Sequence, residues 1–120
     1  NCIGNIMSES SIDLATLNEL KVIMEYEFDE LVNIFISDGQ TQIEQLAQAI
    51  AKQDDTSVRK IAHTLKGSSS NLGITDLSEL CRSLEFKAAE NDLSDADSSL
   101  QSIKTEYEQV KVTLEGLLNS

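Results

Sequence analysis

Ala62-His63-Thr64-Leu65-Lys66-Gly67-Ser68-Ser69-Ser70-Asn71-Leu72-Gly73 decides how this chain is read, because it sets the single histidine of the sequence inside a helical pattern. At about 100° per residue, a helix from about Asp54 to Leu72 puts Val58, Ile61, Ala62, Leu65, Ser69 and Leu72 on one face. That is the spacing of an amphipathic helix packed on a core. The other face carries Arg59, His63, Lys66, Gly67 and Ser70. His63 is therefore expected to point to solvent, with Lys66 and Gly67 beside it one turn on.

A glycine inside a helix costs roughly 1 kcal/mol relative to alanine, and the apolar period runs on past Gly67, so a bend or cap does not explain it. Its missing side chain leaves room for a second molecule's backbone or a phosphoryl group to approach the ring. A neutral imidazole is a good nucleophile near physiological pH, and an ammonium three residues along can neutralise oxygens on a transferring phosphoryl group. A lone surface histidine is ordinary. Histidine, lysine and glycine on one exposed face, backed by Ser68 to Ser70, favour a phosphoryl acceptor instead.

Working outward, Asp54 is the expected N-cap of the histidine helix and Gly73 its expected terminating glycine. Upstream, Phe28, Leu31, Val32, Phe35, Ile43, Leu46 and Ile50 keep phase from about Tyr26 to Gln53. Ser37-Asp38-Gly39 interrupts the composition but not the phase, which predicts one long helix with a weak point at Gly39. Before it, Asp13 can cap a short helix from Leu14 to about Met24, and Glu25-Tyr26-Glu27 marks a bend. Downstream, Thr75 is expected to cap a helix reaching about Glu90, with Leu77, Leu80, Cys81, Leu84 and Ala88 on its apolar face. Asn91-Asp92-Leu93-Ser94 makes the last turn with Ser94 as cap. The final helix repeats Ala96, Leu100, Ile103, Tyr107, Val110, Leu114 and Leu117 at alternating spacings of four and three.

Four substantial helices with short connections predict an all-α fold, an antiparallel up-and-down four-helix bundle with a short additional N-terminal helix. Residues 11–120 are expected to form this domain, and residues 1–10, which show little periodicity, a partly ordered leader or a vector-derived remnant. The first residue is not methionine, so an excerpt from a longer protein is the alternative expectation.

The chain has 120 residues, no proline and a formal net charge of −12. Such acidity argues against nucleic acid, which needs a basic footprint, and against an anionic membrane surface. No apolar run is long enough to span a membrane, and the start lacks a secretory pattern. Cys2 and Cys81 have no metal or redox spacing; Cys81 falls on an apolar face, and a reducing compartment is expected. Asp95, Asp97, Ser99 and Glu106 fit the spacing of a calcium loop, but Leu100 stands where that loop needs glycine. They read better as acids at a helix start. His63 has no histidine or cysteine partners at ligand spacing, so no bound metal is expected. Without a Gly-rich phosphate loop the domain is not expected to bind ATP or act as an autonomous kinase. The serines beside His63 lack the strained elbow of a hydrolase.

The run from Ala62 to Gly73 resembles the signature of histidine-containing phosphotransfer (HPt) domains, the four-helix-bundle relays of multistep two-component signalling. The shared pattern is His63, two residues, Lys66-Gly67, a pair of small residues, and Leu72-Gly73. Leu80-Cys81-Arg82-Ser83-Leu84-Glu85 is similar to the helix that follows in that family. The resemblance is close over these residues and looser over about 10–118. It implies that His63 accepts a phosphoryl group from a receiver-domain aspartate and passes it to another receiver domain. It also implies that Lys66 supports the phosphoryl oxygens, Gly67 gives clearance and Glu85 hydrogen-bonds the imidazole. Arg59 and Ser70 on the same face are the expected partner contacts. A basic residue follows Glu85 by one turn in some members, whereas Ala88 and Ala89 stand here.

Partners implied are response-regulator receiver domains and a hybrid sensor histidine kinase in cis. The implied Mg²⁺ belongs to the receiver, with no cofactor bound by this domain. The implied location is the cytoplasm, including the cytoplasmic C-terminal domain of a membrane-bound hybrid kinase. The competing reading is a helical-bundle adaptor whose histidine is never phosphorylated, since four-helix bundles host many functions.

Overall fold

The structure, a computed structural model, describes residues 13, 15–19 and 27–118. Four helices follow in order: α1 (Phe28–Ala51), α2 (Asp55–Asn71), α3 (Thr75–Ala89) and α4 (Ala96–Leu118). Each packs on its chain neighbour, and α4 closes the ring against α1, with α2 and α3 the most extensive pair. This is the expected antiparallel bundle. Among the described residues no helix is long and apolar enough to cross a membrane.

The core forms where the four apolar stripes meet. Val32, Leu46, Val58, Ala62, Leu65, Leu77, Cys81, Leu84, Ile103, Tyr107, Val110 and Leu114 are all buried. Burial also pushes the Cys81 thiol up to about 12, with the Glu85 charge adding to the effect. Ile61, Leu80 and Leu117 are half-buried at the edge of the core. Small residues at the α2–α3 seam, Ala62, Ser69, Cys81 and Ala88, let the helix that carries His63 lie close to the one that carries Glu85.

Three helices end on one device. Gln53 (φ 56), Gly73 (φ 72) and Asn91 (φ 62) adopt the left-handed conformation just past α1, α2 and α3. At each end the next amide reaches back to the helix: Asp54 N to Ala49 O at 2.9 Å, Ile74 N to Ser69 O at 2.9 Å, Asp92 N to Lys87 O at 2.9 Å. These are Schellman closures, which satisfy carbonyls left over at a helix C-terminus. Glycine at 73 announces such a closure; glutamine at 53 does not. The Gln53 amide donates to Ile50 O at 3.1 Å, a side-chain bond that helps hold the strained turn.

Asp54 caps α2 as expected, accepting from Ser57 N at 3.2 Å and from the Ser57 hydroxyl at 2.7 Å. Asp13 repeats the motif with Thr16 N at 3.2 Å and the Thr16 hydroxyl at 2.8 Å, opening a short helix at 15–19. Its Asp13 N donates to Gly73 O at 2.8 Å, and Leu17 is buried. The short helix thus seats on the corner that ends the histidine helix. A Cβ at Gly73 would lie 3.0 Å from both Asp13 Cβ and Thr16 Cβ, so glycine is required there twice over. Leu20, Met24, the bend at residues 25 and 26, and the expected leader 1–10 lie outside the described residues.

Three local expectations need correction. Gly39 is no weak point: α1 runs unbroken through it, and the residue is buried against the Tyr107 ring. Thr75 is the first residue of α3, and the N-cap is the fully buried Ile74, which makes no side-chain cap; burying Ile74 outweighs a capping hydroxyl. The Ser94 hydroxyl donates to Asp92 Oδ1 at 2.6 Å in a tight turn, and α4 starts two residues later at Ala96.

Candidate functional site

α2 presents His63 on its outer face because Val58, Ala62, Leu65 and Ser69 turn inward. The imidazole is 65% exposed, while Glu85, reaching across from α3, is 21% exposed and Lys66 29%. Glu85 Oε2 lies 2.8 Å from His63 Nδ1, and Glu85 Oε1 lies 3.0 Å from Lys66 Nζ. One carboxylate thus bridges the ring and the ammonium. Partial burial pushes the Glu85 carboxyl up, but the hydrogen bonds and charges of Lys66 and His63 outweigh it and hold the group below the ordinary glutamate range.

A carboxylate offers only acceptors. The contact therefore places the ring proton on Nδ1, and in the neutral imidazole the lone pair sits on Nε2, away from α3. An open cleft of about 410 Å³ beside the ring is lined by Arg59, Lys60, His63, Thr64 and Glu85. Lys66 is not on its wall. A Cβ added at Gly67 would meet nothing within 4 Å, so the space next to the ring on that side is open.

Of the residues singled out from sequence, His63, Lys66, Gly67 and Glu85 come together in one patch, and Arg59 joins them through the cleft. Ser70 is exposed on the same face two turns past His63, where its carbonyl accepts from Gly73 N at 3.0 Å; it does not line the cleft. Ala88 is buried and Ala89 exposed, so α3 brings no cation within a turn after Glu85 except Lys87, which pairs with Asp95 at 3.2 Å. The acids at the start of α4 are thereby accounted for in part, and among the described residues none clusters as a metal site. Lys60, one turn before the histidine and, with Arg59 and Lys66, one of the basic residues that stand out in so acidic a chain, lines the cleft too; sequence reasoning missed Thr64, one residue after the histidine. It also missed Phe86, which is 61% exposed directly after Glu85. Its being out of phase with Leu77, Cys81, Leu84 and Ala88 was the available signal.

Comparison with known proteins agrees with this fold. A family model described as the Hpt domain matches residues 30–113. The sensor protein TorS of Escherichia coli (strain K12) is 32% identical over 81 residues, which are 67% of this chain but 9% of TorS. The crystal structure of histidine-containing phosphotransfer protein B (HptB) from Pseudomonas aeruginosa PAO1 superposes with a TM-score of 0.86 at 28% identity, covering 88% of this chain and 92% of that one. The HPT domain of a sensor hybrid histidine kinase from Shewanella shares the fold, with a TM-score of 0.77 at 14% identity over 92% of this chain and 95% of that one. With a matching family model over most of its length and the fold of that family, the chain belongs to the Hpt domains, the phosphotransfer intermediates of phosphorelays.

Proposed function

We propose that His63 is the residue that carries the phosphoryl group, receiving it from the aspartyl phosphate of a response-regulator receiver domain and passing it to another. The observation that carries this reading is the contact of Glu85 with His63 Nδ1 at 2.8 Å, which leaves Nε2 as the free nucleophile on an exposed ring. Nε2 attacks phosphorus in line as the bond from phosphorus to the aspartyl oxygen breaks, and the aspartate leaves with the bonding pair. The proton stays on Nδ1. The phosphorylated ring is then an imidazolium, and the Glu85 carboxylate stabilises its positive charge as it forms. Reversal of the same steps hands the group on.

Docking supplies proximity and orientation, and Mg²⁺ with most of the remaining charge support belongs to the receiver. Lys66 supplies charge next to Glu85, Gly67 clearance, and Arg59 and Ser70 contacts to the partner. Two apolar side chains support docking over this face. Phe86 follows Glu85 on α3, and Ile34, 51% exposed, lines a groove of about 300 Å³ with Ser68 and Asn71 of α2. Exposed apolar groups flanking a polar centre are what a partner surface needs. The working location is the cytoplasm, where receiver domains meet their donors, either alone or as part of a hybrid kinase.

Mixing the purified chain with phosphorylated receiver domains tests the reading. Acid-labile, alkali-stable label is expected on the wild type and none on His63→Gln. If receivers bind but leave the wild type unlabelled, the adaptor reading replaces this one.

A further inference from the structure

We infer that Arg59 is a second phosphoryl-binding residue of this site, an uncompensated cation that meets the group on His63, and that Lys66 is the weaker of the two. The inference rests on His63 as the phosphorylated residue.

Three observations lead to it. Lys66 is committed, its ammonium 3.0 Å from Glu85 Oε1, so much of its charge is already neutralised. Arg59, by contrast, makes no ion pair with any described residue and, like Lys60, lines the cleft beside the ring where Lys66 does not. Of these two cations Arg59 is nearer in direction to His63, about 40° round the helix against about 60° for Lys60. The third is direction. Side chains on an α-helix lean toward its N-terminus, so the imidazole lies over the turn that holds Arg59, and Lys66 leans back beneath it.

The register of α2 against α3 keeps that space clear. His63 stands level with Glu85, and Asp55 Oδ2 accepts from Asn91 Nδ2 further along the same seam. An even antiparallel register between these two crossings sets Arg59 level with Ala88 and Ala89. Neither alanine can fill the space or pair with a guanidinium. Arg59 is four residues before His63, about 40° from its direction on the helix, and its planar fork of donors matches two phosphoryl oxygens at once.

Phosphoramidate is the probe, because it phosphorylates an exposed imidazole without any docking protein. His63 Nε2 bonds to phosphorus as the phosphorus–nitrogen bond of phosphoramidate breaks and ammonia leaves. Formation of phosphohistidine and the pH titration of its ³¹P signal are compared in the wild type, Arg59→Gln, Arg59→Lys, Lys66→Gln and, as a charge-matched control on α4, Lys104→Gln. Arg59→Gln is expected to slow formation about fivefold, the size of one exposed cation, and to move the phosphoryl titration to higher pH. Arg59→Lys should retain most of the rate, Lys66→Gln should be affected less than Arg59→Gln, and Lys104→Gln should match the wild type. Arg59 is exposed, so the variant keeps its fold, which circular dichroism checks.

A wild-type rate in Arg59→Gln, or an unmoved ³¹P titration, overturns the inference. An unlabelled wild type overturns it together with the reading of His63. A wild type that takes label from phosphoramidate but never exchanges it with receivers sinks the relay alone and leaves Arg59 standing.

Discussion

Glu85 Oε2 and His63 Nδ1, 22 residues apart in the chain and on different helices, meet at 2.8 Å. That contact joins α2 to α3 at the functional face, and it decides which ring nitrogen is free. Its removal should show in transfer. Glu85→Ala is expected to slow phosphoryl transfer about tenfold, the cost of losing one charge-assisted hydrogen bond of ~1.5 kcal/mol. Glu85→Gln, whose amide oxygen still accepts from Nδ1, should lose less. Equal losses in the two variants would mean that orientation of the ring is not what Glu85 provides.

The same carboxylate makes a pH prediction. Its pKa is lowered in the folded chain, so its stabilising contribution is complete above the ordinary glutamate range and is lost as pH falls through the lowered value. Urea unfolding of the wild type and Glu85→Gln should therefore differ at about pH 7, and the difference should shrink as pH falls through the lowered value. A gap that persists in acid would assign the difference to packing.

Gly67 should separate stability from function. No atom would oppose a Cβ there, so Gly67→Ala is expected to raise stability by up to about 1 kcal/mol through helix propensity. Gly67→Gln, with a side chain long enough to cover the ring, should keep the fold and block transfer. Full transfer by Gly67→Gln would show that clearance beside His63 is not needed.

Gly39 should behave in the opposite way. Its Cβ would lie 2.7 Å from Tyr107 Cε1. That ring cannot easily give way, because it packs on Phe35 at 6.4 Å between centroids and its hydroxyl donates to Ile36 O. Gly39→Ala is therefore expected to lower stability by ~1–2 kcal/mol despite its better helix propensity. A rise in the thermal midpoint would show that α1 and α4 can separate without cost.

Gln53 is a site for gain. It holds φ 56 with a side chain, and Gln53→Gly should remove ~1 kcal/mol of left-handed strain, less whatever the bond to Ile50 O contributes. Thermal unfolding measures the balance; a loss of stability would make that bond the larger effect.

Phe86 tests the docking face. Phe86→Ala should raise the KM for transfer from a receiver about tenfold, as for a moderate anchor, with little change in the rate at saturation. Val112 is as exposed, at 67%, but lies on α4, diagonally across the bundle from α2. Val112→Ala should leave transfer unchanged, and equal effects at the two positions would place the partner elsewhere.

Periodicity and end signals alone determined much of this protein. The inward face of α2 and the exposure of His63 follow from the 3.6-residue repeat, because burial of one stripe leaves the other in water. Asp54 and Gly73 were legible as the ends of α2 because capping is local chemistry between residues three to five apart. The twelve residues around His63 sufficed to place the chain beside its family. Tertiary structure decided what depends on the register between helices. It alone set Glu85 between His63 and Lys66, turned Gly39 from a flaw into the seat of Tyr107, and opened the space around Arg59. A helical repeat states which face a residue occupies, but not which residue of the neighbouring helix lies level with it. That level is fixed only when the stripes interlock and the connecting turns close, and the chemistry of this face depends on it.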